Sequence, residues 1–303
     1  MNSLAKYALS PGRCSIFLFH GVIREQVYKI RNYNKKHLLL ARFTEVLNYW
    51  KSTGTPLSMD RVIEHCTTST PFPDNSFAIT FDDGFENNLT VAAEVLAHLN
   101  LPATFYVTTG FIEHNGISWI DKLEMLFENE NSLKFGLPWR TDQVRVESVE
   151  EKIACLDEIR RNVKADRRID PESFVANLVA DTGANFEFSA TGPLDKKMTW
   201  AQVAELASHE LFTVGGHTHS HRILAYLSKP DLECEISQSI KLLSEKSGIK
   251  TKHYSYPEGF AGSYSKEVID VLSRNGVQCC PTAIEGDNDH LTSLFELRRR
   301  AVT

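Results

Sequence analysis

Two adjacent aspartates at the end of an apolar stretch constrain this sequence more than any other feature. Residues 77–84 read FAITFDDG, and the alternation of large apolar and small residues is typical of a buried strand. Neighbouring carboxylates repel each other, and each loses hydration when it is buried. A divalent cation at the end of the strand would offset both costs. The alternative is an ordinary turn, because aspartate and glycine are common turn residues.

A second stretch, residues 215–221, contains three alternating histidines and reads GGHTHSH. Histidine is the commonest metal ligand among protein side chains. If this segment is extended, His217 and His219, or His219 and His221, share one face about 6–7 Å apart. If it is helical, His217 and His221 become neighbours on one face, and the glycines permit such a turn. The pattern predicts a metal site and leaves the ligand pair open.

Taken together, the two stretches resemble the motifs of the polysaccharide deacetylase family, also called the NodB-homology family or carbohydrate esterase family 4. The first family motif is similar to residues 80–84 and the second to residues 217–221. The resemblance extends from about Cys14 to the end of the chain. It implies that Asp82 is the catalytic base. It also implies a set of three metal ligands: Asp83, His217 and His221.

A cation bound by two imidazoles and one carboxylate keeps open positions at which it can activate water or polarise a carbonyl. A neighbouring carboxylate that accepts a proton supplies the general base for hydrolysing an amide or ester. The resemblance implies a metal-dependent hydrolase that removes an N-acetyl group from an amino sugar in polysaccharide or glycolipid biosynthesis. Zn²⁺ is the expected cofactor, although Co²⁺, Ni²⁺, Fe²⁺ or Mn²⁺ could fit such a site. Two alternatives remain: a deformylase or other small-amide hydrolase on the same scaffold, and a catalytically degenerate carbohydrate-binding protein.

The third family motif is present only in an altered form, SYPEG at residues 255–259. Ser255 stands in place of the family's arginine, and Glu258 in place of its aromatic residue. The backbone N–H of Glu258 could still stabilise an oxyanion, because a backbone donor does not depend on the side chain. We expect Tyr256 to belong to the same substrate site. Arg299 is the candidate substitute for the missing arginine, with a solvated run of charges at residues 298–300 as the alternative.

The general acid of the family comes from a C-terminal histidine motif that is not recognisable here, and residues 295–303 contain no histidine. We expect His20, at the end of an otherwise apolar strand, to take this role. A histidine bonded to a neighbouring loop is the alternative. Trp119, together with Asp121, could form a wall of the substrate cleft, and a plain helix start is the competing interpretation.

The order of predicted elements favours one α/β domain over residues 1–303, a distorted (β/α)7-type barrel with right-handed crossovers. Residues 111–210 contain mostly helical patterns and are interpreted as a helical insertion. Five candidate residues fall at the C-terminal ends of predicted strands, the edge where such barrels place their active sites: His20, Asp82, Asp83, His217 and Glu258. The strands are predicted at residues 15–22, 77–81, 102–108, 212–215, 252–256, 277–283 and 296–302. The helices are predicted at 37–52, 60–65, 88–99, 121–128, 147–164, 171–179, 200–207, 231–246 and 265–274.

Composition and charge exclude other classes of protein. With 33 Lys+Arg against 39 Asp+Glu, the net charge is −6, which argues against a nucleic-acid partner. No apolar run approaches the roughly 18 residues of a membrane span. None of the six cysteines forms a C-x-x-C pair, and residues 1–12 lack an apolar signal region, so we expect a cytoplasmic location. A carbohydrate or glycolipid is the expected partner, and the sequence does not predict the oligomeric state.

Overall fold

The structure, a computed structural model, describes residues 4–303, so residues 1–3 of the predicted N-terminal segment lie outside it. It divides the chain into two compact units. The first unit comprises residues 4–25, His37–Gly116 and Lys196–Thr303, and the second comprises Gln26–Lys36 and Ile117–Asp195. The organisation as a single domain with an insertion at residues 111–210 stays a prediction.

Strands and helices alternate along most of the chain. The strands are β1 (Cys14–Phe19), β2 (Gly21–Ile23), β3 (His37–Leu39), β4 (Thr55–Pro56), β5 (Ser76–Phe81), β6 (Ala103–Val107), β7 (Leu133–Phe135), β8 (Val144–Val146), β9 (Phe212–Gly216) and β10 (Arg299–Ala301). The helices are α1 (Leu40–Thr53), α2 (Met59–Thr67), α3 (Glu94–His98), α4 (Thr109–His114), α5 (Trp119–Asn129), α6 (Val149–Ala165), α7 (Pro171–Thr182), α8 (Trp200–Ser208), α9 (Lys229–Ser247) and α10 (Lys266–Arg274). A π-helix, Asn88–Ala93, precedes α3, and 3₁₀ turns occupy Ala5–Tyr7 and Leu224–Tyr226.

The first unit is built on a parallel sheet with the strand order β10-β1-β5-β6-β9, in which β4 pairs with the start of β5. Backbone hydrogen bonds continue this sheet beyond β9 through shorter segments and lead back to the segment that forms β10. These bonds run from Ser255 N to Gly216 O, from Tyr254 N to Cys279 O, from Thr282 N to Leu297 O and from Arg299 N to Ile284 O. The prediction of an α/β fold of the distorted (β/α)7-barrel type is confirmed.

Aromatic side chains form the centre of the first unit's core. Every residue of β1 and of β5 is buried, as expected for central strands of a parallel sheet that is covered on both faces. The rings of Phe19 and Phe81 stack at 5.2 Å, and those of Phe81 and Phe105 stack at 4.9 Å, so one row of rings crosses three strands. Trp50 of α1 stacks on Phe17 at 3.6 Å. This packing fixes the strands whose C-terminal ends hold the candidate residues.

The second unit has a hydrophobic cluster of its own, formed by α5, α6, α7 and the β7–β8 hairpin. Its helices begin at side-chain caps on Ser118, Ser148 and Asp170, and these caps explain why the sequence predicts them well. The sequence does not predict the hairpin, because each of its strands has only three residues and alternation is informative over about four or more.

Other predicted elements differ in length or type. The helix predicted at 37–52 begins only at Leu40, since His37–Leu39 pairs with β2 as a strand. The helix predicted at 88–99 is a π-helix followed by the short α3. The strands predicted at 252–256 and 277–283 retain only isolated bridges, at Tyr254 with Gly216 and at His253 with Cys279. Within residues 4–303, no helix combines the length and apolar character that crossing a bilayer requires.

Candidate functional site

The candidate residues meet because their strands are parallel members of one sheet. Asp82 and Asp83 directly follow β5, His217 directly follows β9, and His20 directly follows β1. The C-terminal ends of parallel strands lie at one edge of the sheet, so these side chains start from a common edge. Residues that are far apart in sequence thereby come into contact.

One carboxylate and two imidazoles form a compact group at this edge. Asp83 Oδ1 lies 3.2 Å from His221 Nε2 and 3.5 Å from His217 Nε2, and one ligand atom from each residue lies within 4.8 Å of the others. Asp83 and His217 are buried, and His221 is partly exposed. Two imidazole nitrogens and one carboxylate oxygen are a donor set suited to Zn²⁺ and similar cations. Across the described residues, no other His, Cys, Asp and Glu side chains form such a group.

The loop that places the two histidines is neither extended nor helical. Thr218 and His221 both adopt left-handed backbone conformations, with φ of 68° and 59°. The N–H of His221 donates a hydrogen bond to Thr218 Oγ1 at 2.9 Å, which closes the turn. Neither of the two conformations considered for this segment, extended or helical, describes the loop, although the rings of His217 and His221 do meet, with centroids 4.9 Å apart. The tight turn brings the rings of His217 and His221 together, whereas an extended chain would hold them apart.

His219, between the two, takes part in a different set of contacts. Its Nδ1 lies 3.0 Å from Thr109 Oγ1, and its Nε2 lies 3.1 Å from the side-chain nitrogen of Gln238. The backbone N–H groups of His219 and Ser220 both donate to the Glu235 carboxylate, which projects from α9. Sequence reasoning missed Glu235, since nothing in the sequence distinguishes it from the other acidic residues of a charged helix.

Asp82, the neighbour of Asp83, is paired with a buried arginine. Arg299 Nη1 and Nη2 donate to Asp82 Oδ1 and Oδ2, each at 2.8 Å, in a bidentate pair. The Ser255 hydroxyl adds a hydrogen bond to Asp82 Oδ1 at 3.2 Å. Burial alone would raise the pKa of Asp82, but the Arg299 guanidinium and, to a smaller degree, His217 outweigh it and hold that pKa below its ordinary value. Asp82 is thus an ionised carboxylate in a fixed orientation.

His217 is held from its other ring nitrogen. Its Nδ1 lies 2.7 Å from Ser255 Oγ and 2.9 Å from the Ser255 carbonyl oxygen, so its Nε2 is turned towards Asp83. Burial lowers the pKa of His217 more than the nearby carboxylates raise it. The imidazole is therefore neutral near pH 7, the form in which histidine binds metals. In the sequence, Ser255 is distinguished only as the residue that stands in place of the family's arginine.

The remaining predicted residues lie at varied positions. His20 is partly buried, its carbonyl oxygen accepts a hydrogen bond from Asn88, and its imidazole helps to lower the pKa of Asp82. Tyr256 stacks on Tyr264 at 4.6 Å, and its hydroxyl donates to the carbonyl oxygen of Phe295. Glu258 has a left-handed backbone, with φ of 63°. Trp119 is the first residue of α5 in the second unit. It is partly buried and packs against the hydrophobic cluster of that unit. The catalytic and substrate roles of these residues stay predictions.

Comparisons with known proteins identify the family of this chain. The family model for polysaccharide deacetylases matches residues 69–163 and 173–280. No curated protein matches the chain.

Several solved structures share the fold, among them the following three. The Streptococcus pyogenes deacetylase PplD, in complex with acetate, is 15% identical with a TM-score of 0.60, and the match covers 97% of this chain and 93% of that one. IcaB from Ammonifex degensii is 15% identical with a TM-score of 0.61, and the match covers 98% of this chain and 94% of that one. The BpsB deacetylase domain from Bordetella bronchiseptica is 16% identical with a TM-score of 0.56, covering 97% of each. The family model matches more than half of the residues of this chain, and the chain therefore belongs to the polysaccharide deacetylase family.

Proposed function

We propose that this protein is a metal-dependent hydrolase that removes an N-acetyl group from an amino sugar in polysaccharide or glycolipid biosynthesis. The observation that supports it best is the contact of Asp83 with His217 and His221 next to an ionised Asp82. Family membership supports de-N-acetylation as the reaction class. PplD, which shares the fold, was solved with acetate, the product that such a reaction would release.

The residues fit a divalent cation. Asp83 offers an anionic oxygen, and a neutral His217 offers its Nε2 lone pair towards the same point. When bound there by Asp83, His217 and His221, the cation would polarise the amide carbonyl and make a water molecule more acidic. Zn²⁺ is the proposed cofactor, and Co²⁺, Ni²⁺, Fe²⁺ or Mn²⁺ are alternatives with the same donor set.

Two side chains are proposed to move protons. Asp82 accepts a proton from the attacking water, because Arg299 keeps its carboxylate ionised and oriented. His20 donates a proton to the leaving nitrogen, since an amide anion is too basic to depart unaided. The backbone N–H of Glu258 is proposed to stabilise the negative oxygen that develops from the carbonyl. A cytoplasmic location and a carbohydrate or glycolipid substrate complete the proposal.

The alternative of a catalytically degenerate binding protein rests on three altered or unrecognisable family motifs, one of which lacks its arginine. Arg299 forms the bidentate contact with Asp82 that such an arginine would provide, although it lies 217 residues further along the chain. This contact favours a working hydrolase over a degenerate one. A deformylase on the same scaffold would use the same residues and differs only in the group that is released.

The test is product release by purified protein that has been stripped of metal and reloaded with Zn²⁺. We expect acetate, and no formate, from N-acetylated and N-formylated amino-sugar oligomers. Asp83→Ala and His221→Ala should lose bound metal, whereas His219→Ala, the matched control in the same loop, should keep it. Asp82→Asn should keep its metal and lose roughly 10²–10⁴-fold in turnover. Formate release would favour the deformylase, and metal-loaded protein without any turnover would favour the binding protein.

A further inference from the structure

Ser255 joins the two halves of the site. Its side chain is fully buried, and its hydroxyl oxygen lies 3.2 Å from Asp82 Oδ1 and 2.7 Å from His217 Nδ1. One hydroxyl therefore contacts both the proposed base and a proposed metal ligand. The family resemblance gives Ser255 no role, because it occupies the position of an arginine.

The direction of each hydrogen bond follows from counting protons. Asp82 is an ionised carboxylate that already accepts two N–H groups from Arg299, and a carboxylate can only accept. The single hydroxyl proton of Ser255 is therefore donated to Asp82. The bond between Ser255 Oγ and His217 Nδ1 then requires the proton of Nδ1. The Ser255 carbonyl oxygen, 2.9 Å from the same nitrogen, requires that proton as well.

This count determines the tautomer of His217. A neutral imidazole has one N–H, so a proton on Nδ1 leaves Nε2 with a lone pair. Nε2 lies 3.5 Å from Asp83 Oδ1 and 3.9 Å from Asp82 Oδ2, two oxygens that cannot donate to it. A lone pair that faces carboxylate oxygens is stabilised by a cation placed among them.

We propose that Ser255 is a positioning residue that couples the base to the metal ligand, by donating to Asp82 and holding His217 in the tautomer whose Nε2 faces the cation. This inference rests on the proposed function. In this chain, two residues replace one arginine: Arg299 supplies the charge and Ser255 supplies the link to His217. Partners of metal-binding histidines fix tautomer and ring orientation in this way, and their loss typically costs about 10–100-fold in affinity or activity.

The experiment compares Ser255→Ala and Ser255→Thr with the wild-type protein, after chelation and titration with Co²⁺ or Zn²⁺. Ser255→Ala should bind metal about 10–100-fold more weakly and lower kcat more than it raises KM, because the buried hydroxyl contacts Asp82 and His217. Ser255→Thr keeps the hydroxyl and should restore most of the affinity. Ser263→Ala is the matched control: Ser263 is an equally buried serine whose hydroxyl donates to the Phe260 carbonyl oxygen. It should leave metal affinity unchanged.

A second measurement does not depend on turnover or on the folding of a variant. ¹⁵N NMR of histidine-labelled, metal-free wild-type protein should show a proton on Nδ1 and none on Nε2 of His217. A proton on Nε2, or a Ser255→Ala protein with wild-type affinity and kcat, would overturn the role of Ser255. A wild-type protein that binds metal but releases no acetate would contradict the proposed function alone. The tautomer of His217 together with the metal affinity of Ser255→Ala would still decide the inference.

Discussion

Several residues of the site have backbone conformations that their side chains disfavour. Asp83, Thr218, His221 and Glu258 all have positive φ, and for a β-branched residue such as Thr218 this is a rare conformation. Each such residue costs about 1–3 kcal/mol and persists only where neighbours impose it. Thr218 is held at three points: its N–H donates to the Tyr254 hydroxyl, its carbonyl oxygen accepts from Thr109 N, and its hydroxyl accepts from His221 N. Strain at these four residues is consistent with a functional role for this part of the molecule.

Arg299 should be the most sensitive residue of the final arginine run. Both Arg299 and Asp82 are buried, so Arg299→Ala leaves a carboxylate buried without its counter-charge. We expect the free energy of unfolding to fall by about 3–5 kcal/mol. Arg298→Ala, the adjacent and exposed control, should change it by less than about 1 kcal/mol. Urea denaturation measures both values, and equal losses for the two variants would mean that the ion pair contributes little.

His20 should affect turnover without affecting the metal. If it donates the proton to the leaving nitrogen, His20→Ala should lower kcat by roughly 10²–10⁴-fold. Metal content, measured by elemental analysis, should remain that of the wild type, because His20 lies outside the ligand group. His98→Ala removes an exposed histidine of α3 and serves as the control. If His20→Ala kept full activity on a substrate that the wild-type protein cleaves, the general acid would be unassigned.

At the scale of elements, the sequence predicted the group formed by Asp83, His217 and His221 better than the residues that support it. The strand β5 could be recognised because six consecutive buried residues lead into two carboxylates. The contacts that orient those carboxylates join distant parts of the chain: Arg299 and Ser255 lie 217 and 173 residues from Asp82. Only the fold brings them together. The segments around residues 252–256 and 277–283 contribute such contacts with few regular bridges, which is why their predicted strands are incomplete.

Helix α9 should stabilise the histidine loop through one side chain. Glu235 is buried and accepts hydrogen bonds from the N–H groups of His219 and Ser220 and from the Ser220 hydroxyl. Glu235→Ala leaves those donors without their acceptor, so we expect the unfolding free energy to fall by about 1.5–3 kcal/mol and metal affinity to fall with it. Calorimetric titration and thermal unfolding measure the two effects.

The control for this prediction is Glu233→Ala on the same helix. Glu233 is exposed, and its contact is a 3.4 Å pair with Arg274. Such pairs are worth about 0–1 kcal/mol, so this variant should bind metal normally. If Glu235→Ala also bound metal normally, the loop would be held sufficiently by Thr218 and its partners.

At the scale of the whole molecule, local sequence patterns do not reveal which segments make up the second unit. Its helices follow from their caps, but its inclusion of Gln26–Lys36 depends on contacts across long stretches of chain. Arg31 forms a buried bidentate pair with Asp195, and Glu128 accepts hydrogen bonds from the N–H groups of Lys29, Ile30 and Arg31. A buried arginine in a segment without periodicity has no recognisable signal in the sequence, so the sequence indicates only an insertion at residues 111–210.

Acid should destabilise the metal-free protein in two steps. Burial lowers the pKa of His217 in the folded state, so below about pH 6.5 the unfolded chain binds a proton that the folded chain does not. Stability should therefore fall as pH decreases through 6.5. Arg299 lowers the pKa of Asp82 despite the burial of that carboxylate. The stability that ionised Asp82 contributes should therefore be lost from about pH 4 downwards. Urea denaturation in a chelating buffer between pH 8 and pH 3 measures both steps.

A bound cation should change this profile in a defined direction. At a cation concentration 1,000 times its dissociation constant, the folded state gains about 4 kcal/mol. The gain should be largest above pH 6.5 and shrink in acid, because protons compete with the cation for the imidazoles and the carboxylate. Asp83→Ala should give the same curve with and without Zn²⁺, since it lacks the carboxylate between the two histidines. A Zn²⁺-dependent gain that persists in Asp83→Ala would place the cation elsewhere in the molecule.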